Sequence, residues 1–190
     1  MEITVHPLTP DRWPDLEKLF GEKGALGGCW CMWWHQTGKE YEARKGEPNR
    51  RAFREEVERG PAPGVIAYSG TEVAGWCRVG PRDGFARLDR SRTLKPVDER
   101  PAWSVVCFFV ARGARRQGVT DALLKGATAF AVRQGADLVE GYPRDPKPGP
   151  WADAEAYRGR SGVFERGGFE AVERLQGQAM VMRKELGSGR

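Results

Sequence analysis

The stretch Trp103-Ser-Val-Val-Cys-Phe-Phe-Val-Ala111-Arg112-Gly-Ala-Arg115-Arg116-Gln117-Gly118-Val119-Thr120 decides how the rest of the chain is read. From Trp103 to Ala111 both alternating faces are apolar, the pattern of a strand covered above and below at the centre of a sheet. From Gly118 the period turns helical. Val119, Leu123, Ala127, Phe130 and Ala131 fall on one side, Asp121, Lys125 and Arg133 on the other, and Gly135 ends the run. The turn between them is the start of a helix, where unsatisfied N–H groups and a partial positive charge collect. A glycine there lets an anion approach the backbone, and Arg112, Arg115 and Arg116 add charge to the same turn. Pyrophosphate is the natural guest; a plain strand-to-helix connection with solvated arginines is the other reading.

Working outward, Ile3, Val5 and Pro7 alternate with polar residues as a short strand, and Trp13, Leu16, Leu19 and Phe20 follow at helical spacing. A glycine-rich break over 21–28 and an aromatic segment, Cys29 to His35, precede a second helix from about Pro48 to Glu58, stopped by Gly60-Pro61. Gly64 to Tyr68 and Val73 to Val79 read as two strands joined by a tight turn at Ser69-Gly70-Thr71. Residues 84–100 are polar with no period and read as a surface excursion. Beyond the central strand and helix come a strand over Leu138 to Tyr142, a proline-rich loop from Pro146 to Trp151, and a short helix from Arg158 to Arg166. A final hairpin over Phe169–Glu173 and Ala179–Met182 completes the chain. The expectation is an α/β fold: one mixed, mostly antiparallel sheet of seven strands flanked by four helices, with 1–186 as a single domain and 187–190 as a flexible tail.

Composition bounds the function. The 190 residues carry 31 Lys and Arg against 26 Asp and Glu, a net charge of +5, and the hydrophobic set makes up 39%. With a mean hydropathy of −0.60 this is a folded domain with neither signal peptide nor membrane span, expected in the cytoplasm. The four cysteines are too few for a disulfide framework and are expected to be free thiols. Mild basicity suits a negatively charged small ligand. The basic helix around Arg50, Arg51 and Arg54 is interleaved with Glu55, Glu56 and Glu58, a solvated face with internal ion pairs, so neither a nucleic acid nor a membrane is an expected partner.

Arg115-x-x-Gly118-x-Thr120 resembles the Arg/Gln-x-x-Gly-x-Gly/Ala signature of GNAT-superfamily N-acetyltransferases. Gly162-Val-Phe164-Glu-Arg-Gly-Gly168-Phe169 resembles the superfamily's penultimate helix running into its Gly-Phe strand, and the element order matches over essentially the whole chain. Thr120 stands where the signature has Gly or Ala. The resemblance implies acetyl-coenzyme A as acyl donor, with backbone around Phe108, Phe109 and Val110 binding the pantetheine arm. It gives the pyrophosphate to the amides of Arg115, Arg116, Gln117, Gly118, Val119 and Thr120. The activity implied is acetyl transfer to a primary amine, of a small molecule, by direct attack in a ternary complex. Rival readings are a protein lysine or N-terminal acceptor, and a non-catalytic acyl-coenzyme A-binding module.

Acetyl transfer needs a neutral amine, donors for the developing oxyanion and a proton for the departing thiolate. The superfamily commonly takes that proton from a tyrosine on the penultimate helix, but Phe164 occupies the position here and has none to give. Tyr157, seven residues earlier, is the first substitute, Tyr142 the second. Glu140, on the same strand face as Tyr142, is the candidate base, with Asp145 and His35 behind it. Trp30, Trp33 and Trp34 crowd one loop; they form either an aromatic wall for a planar or cationic acceptor or a core plug or homodimer interface. Cys29-x-Cys31 with His35 lacks the further ligand a zinc site wants, since Cys77 and Cys107 read as buried strand residues, and no metal is expected.

Overall fold

The computed structural model describes residues 2–145, 156–175 and 179–187. The proline-rich loop expected from Pro146 to Trp151 and most of the expected tail lie outside them. Seven strands form one sheet: β1 (Ile3–Pro7), β2 (Gly64–Ser69), β3 (Glu72–Pro81), β4 (Trp103–Val110), β5 (Leu138–Gly141), β6 (Glu170–Arg174) and β7 (Met180–Glu185). Their order is β1-β2-β3-β4-β5-β7-β6, antiparallel at every junction except β4–β5, which is parallel.

α5 (Val119–Arg133) is the crossover that makes β4 and β5 parallel. Its Val119, Leu123, Leu124, Ala127, Phe130 and Ala131 are buried against one face of the sheet, beside Val105 and Phe108. The opposite face is covered by α1 (Trp13–Phe20) and α3 (Glu47–Arg59), whose Trp13, Leu16, Phe20, Phe53 and Val57 close on Ile66 and Trp76. Both faces of β4 are therefore sheathed, as its apolar run requires. Among the described residues no helix is long and apolar enough to cross a membrane.

Three elements differ from the sequence reading. α2 (Gly38–Arg44) was hidden behind the aromatic segment, although Thr37 and Glu40 form a complete capping box: Thr37 Oγ1 accepts from Glu40 N–H at 3.2 Å, and Glu40 Oε2 from Thr37 N–H at 2.7 Å. α4 (Ala86–Asp89) is a single turn inside the polar excursion. The helix expected from Arg158 begins only at Ser161, as α6 (Ser161–Arg166). Gly159 sits at φ +83°, and the chain around it runs extended, Arg144 N–H donating to Gly159 O at 3.2 Å and Ser161 N–H to Arg144 O at 3.1 Å.

Candidate active site

β4 and β5 pair only from Trp103 to Val105 on β4, and beyond Val105 they part. On the other side β4 stays paired with β3, with Trp76 opposite Phe109 and Ala111 N–H donating to Ala74 O at 2.9 Å. Alternation turns the Phe109 N–H toward β3 and the Phe108 and Val110 N–H groups toward the opening. The carbonyl of Tyr157 takes the Phe108 donor at 2.6 Å, so of the three residues expected to bind pantetheine Val110 offers an N–H to the gap.

At the end of this gap lies the loop into α5. Arg116 (φ +62°) and Gly118 (φ +81°) both take left-handed backbone, which folds consecutive N–H groups toward one side. No side chain caps the helix, and a Cβ built on Gly118 meets nothing within 4 Å. Open donors at a helix start with free space before them are what an extended diphosphate needs. Val119 contributes only its amide, since its side chain is core. The Gln117 side chain is spent on Gly113 O at 2.7 Å.

A cavity of about 1290 Å³ joins these parts. Arg112, Arg115, Arg116 and Thr120 line one end; Phe108, Phe109 and Val110 its flank; Trp33, Trp34, Tyr41 and Tyr157 the other end. That volume exceeds the usual range of about 300–1,000 Å³ for a drug-sized ligand and accommodates two guests. Trp33 is clamped by Arg87, whose guanidinium lies 3.5 Å from the ring centroid and donates to the Trp33 and Gln36 carbonyls. Trp34 is buried, and its indole Nε1 has no hydrogen-bond partner.

Trp30, grouped with those two in the sequence, does not line the cavity. It stacks on Trp13 (centroids 6.0 Å apart) and meets Phe20 edge-on, its ring filling the space left by Gly24, where a Cβ would lie 2.1 Å from the indole nitrogen. Burial of an aromatic pair explains its position better than a ligand contact.

Glu140 and Tyr142 also lie outside the cavity lining. Glu140 is 1% exposed; it accepts from Arg183 Nε at 3.0 Å and from the Tyr142 hydroxyl at 2.5 Å, with Arg82 Nη1 at 3.4 Å. The same hydroxyl takes Arg82 Nη1 at 2.8 Å and lies 2.8 Å from Ser104 Oγ. Burial and the neighbouring Glu140 hold the Tyr142 phenol well above its ordinary pKa. The pair is a structural ionic knot rather than the base and acid sought at these positions, because the two arginines approach from inside the sheet. Asp145 pairs with Arg174 at 3.1 Å, and it too does not line the cavity.

The sequence reading passed over the thiols. Cys29, Cys31 and Cys107 all line the cavity beside the aromatic loop. The Trp76 indole N–H donates to Cys31 Sγ at 3.1 Å, and the Arg78 guanidinium stands near, 2% exposed, its Nε and Nη1 without partners. Burial pushes the Cys31 thiol up, but a hydrogen bond from Cys107, the Arg78 charge and the Trp76 donor outweigh it and leave the group below its ordinary pKa. Cys107, donating to Cys31 and buried, is held well above. Trp30 (φ +42°) and Cys31 (φ +58°) are both left-handed without being glycine, a cost of roughly 1–3 kcal/mol each of the kind that collects at functional sites. The signal available in the sequence was Cys31 two residues after Cys29 in a glycine-flanked aromatic turn; nothing local announced Trp76 or Arg78.

His35, on the far side of Arg78, accepts from its Nη2 at 2.6 Å. Burial, then the Arg78 charge, depress its pKa to about 4. The unfolded imidazole titrates near 6.5, so the unfolded state binds the extra proton between these values and stability is lost as pH falls from 6.5 toward 4. Thermal unfolding midpoints should be level above pH 7 and drop through that window, less so in His35→Gln; equal slopes would remove His35 as the cause.

A sequence profile of the acetyltransferase (GNAT) family matches residues 30–142. No match is found among curated proteins. Among solved structures, an acetyltransferase of the GNAT family from Listeria monocytogenes is 11% identical (TM-score 0.58, 98% of this chain and 96% of that one). The PaiA N-acetyltransferase of Thermoplasma acidophilum, solved with coenzyme A, is 13% identical (TM-score 0.54, 97% and 99%). A structure from Corynebacterium glutamicum named as histone acetyltransferase HPA2 and related acetyltransferase is 20% identical (TM-score 0.53, 97% and 97%). At these identities the structures show a shared fold. The profile spans more than half of the chain, over the central strand, the loop into α5 and the parting of β4 from β5, and with it this chain belongs to the GNAT acetyltransferase family, whose acyl donor is acetyl-coenzyme A.

Proposed function

We propose that this protein is an N-acetyltransferase that moves an acetyl group from acetyl-coenzyme A to the primary amine of a small molecule. One observation carries the reading: a single cavity runs from the arginine-rich start of α5, along the open edge of β4, to an aromatic pocket. Each section suits one part of the reaction. The amides of Arg116 to Thr120, with Arg112 and Arg115, hold a pyrophosphate; the Val110 N–H aligns the pantetheine arm; Trp33, Trp34 and Tyr41 enclose the acceptor. When bound, the donor supplies an activated thioester. The protein supplies position, exclusion of water and a proton source, for which Tyr157 is the residue within the cavity. Burial raises the Tyr157 phenol above its ordinary pKa, which keeps it protonated at neutral pH.

The enclosed aromatic end favours a small acceptor over a polypeptide, which would call for an open polar groove. Thermal unfolding with acetyl-coenzyme A, coenzyme A, NAD and S-adenosylmethionine tests the donor. At about 100 times its dissociation constant a ligand adds roughly 2.7 kcal/mol, a rise of roughly 5–11 °C for a domain of this size. A rise with the two coenzyme A species alone is expected, followed by turnover in a screen of small amines; stabilisation without turnover on any amine or peptide would make the chain a binding module. Tyr157→Phe should lower kcat with little change in acetyl-coenzyme A affinity, and wild-type turnover would remove its hydroxyl from the reaction.

A further inference from the structure

The cavity places three thiols where the donor's thioester arrives, beside Phe108 and Phe109 and between the phosphate loop and the aromatic pocket. One of them, Cys31, is set apart by its surroundings. It is 4% exposed yet lines the cavity, it receives the Trp76 indole N–H, a buried guanidinium with unpartnered donors lies nearby, and its backbone is held in a conformation that L-residues rarely adopt. A neutral packing thiol needs none of these. A sulfur that carries negative charge needs donors and a cation, and a nucleophile needs a fixed direction of attack.

We propose that Cys31 is an acyl-accepting nucleophile, so that acetyl transfer proceeds in two steps through a Cys31 thioester rather than by direct attack of the amine on the donor. In the first step the Cys31 thiolate attacks the acetyl carbonyl; a Cys31 S–C bond forms, the C–S bond to coenzyme A breaks, and coenzyme A leaves as its thiolate. One thiolate replaces another, so no proton is consumed. In the second step the neutral amine attacks the Cys31 thioester; a C–N bond forms, the Cys31 S–C bond breaks, the ammonium proton passes to water and Cys31 returns as thiolate. Trp76 and Cys107 are positioning residues: their donors hold the sulfur between turnovers. The scheme also accounts for a family member with phenylalanine at the usual proton-donor position, because thiolate exchange does not demand an acid. It rests on the donor reading above.

Two measurements on the full-length protein test it without an identified acceptor. Protein incubated with acetyl-coenzyme A alone, quenched in acid and digested at low pH, should carry one acetyl group on the Cys31 peptide, released by hydroxylamine. Isotopically labelled coenzyme A should exchange into acetyl-coenzyme A in the absence of any amine, which a direct ternary mechanism does not catalyse. Cys31→Ala should lose both signals, and Cys107→Ala should keep the label at Cys31. Absence of label together with absence of exchange in a protein that acetyl-coenzyme A stabilises against heat would overturn the nucleophile and leave the acetyltransferase reading standing; so would exchange undiminished in Cys31→Ala. Should Cys31→Ala fail to fold, the wild-type label and exchange decide alone. No stabilisation by acetyl-coenzyme A would instead remove the donor reading on which the nucleophile depends.

Discussion

Gly118→Glu is expected to weaken coenzyme A binding by at least about 100-fold, or roughly 2.7 kcal/mol. The residue caps α5 at φ +81° with nothing within 4 Å of where a Cβ would be. A carboxylate introduced there lies in the space where the open amides receive a phosphate, and it opposes the charge of Arg112, Arg115 and Arg116. Left-handed backbone costs a side chain roughly 1–2 kcal/mol, so the substitution is also mildly destabilising. Gly118→Ala separates the two effects: it carries the same backbone cost without the charge and should keep most of the affinity. Titration calorimetry with coenzyme A reads both. Equal affinities for wild type and Gly118→Glu would mean that the phosphate binds elsewhere.

The second large effect is on stability. Glu140→Ala should cost about 3–5 kcal/mol, because it leaves the Arg82 and Arg183 guanidiniums buried without their shared carboxylate. For a chain of this length that is a fall in Tm of roughly 6–20 °C. Arg183 keeps Asp98 at 2.7 Å and Arg82 keeps the Leu94 carbonyl at 2.8 Å, which bounds the loss from above. A midpoint within a degree or two of wild type would show the knot to be unimportant. Protein that is stable but loses turnover with acceptor would return Glu140 to the reaction.

Much of the fold was legible because local signals agreed. The run from Trp103 to Ala111, the change of period at Gly118 and the glycine at position 135 each mark a boundary that the backbone obeys. The loop into α5 was legible for the same reason: its chemistry comes from consecutive backbone groups. The rest of the site depends on residues far apart in sequence. Glu140 looked like a base until Arg82, 58 residues away, and Arg183, 43 residues away, closed around it. Trp30 looked like a neighbour of Trp33 and Trp34 until the left-handed backbone at Trp30 and Cys31 turned its ring inward onto Trp13. Cys31 gained its character from Trp76, 45 residues later on β3.

The parting of β4 from β5 makes the cleft a slot in the interior of a sheet, about as wide as one absent strand, since neighbouring strands lie about 4.7–4.9 Å apart. What β4 offers to a guest there is a backbone donor. Alanine substitutions along Phe108, Phe109 and Val110 would therefore report on packing and miss recognition. Proline at position 110, which deletes the N–H while leaving the neighbouring side chains in place, is the substitution such a slot would feel.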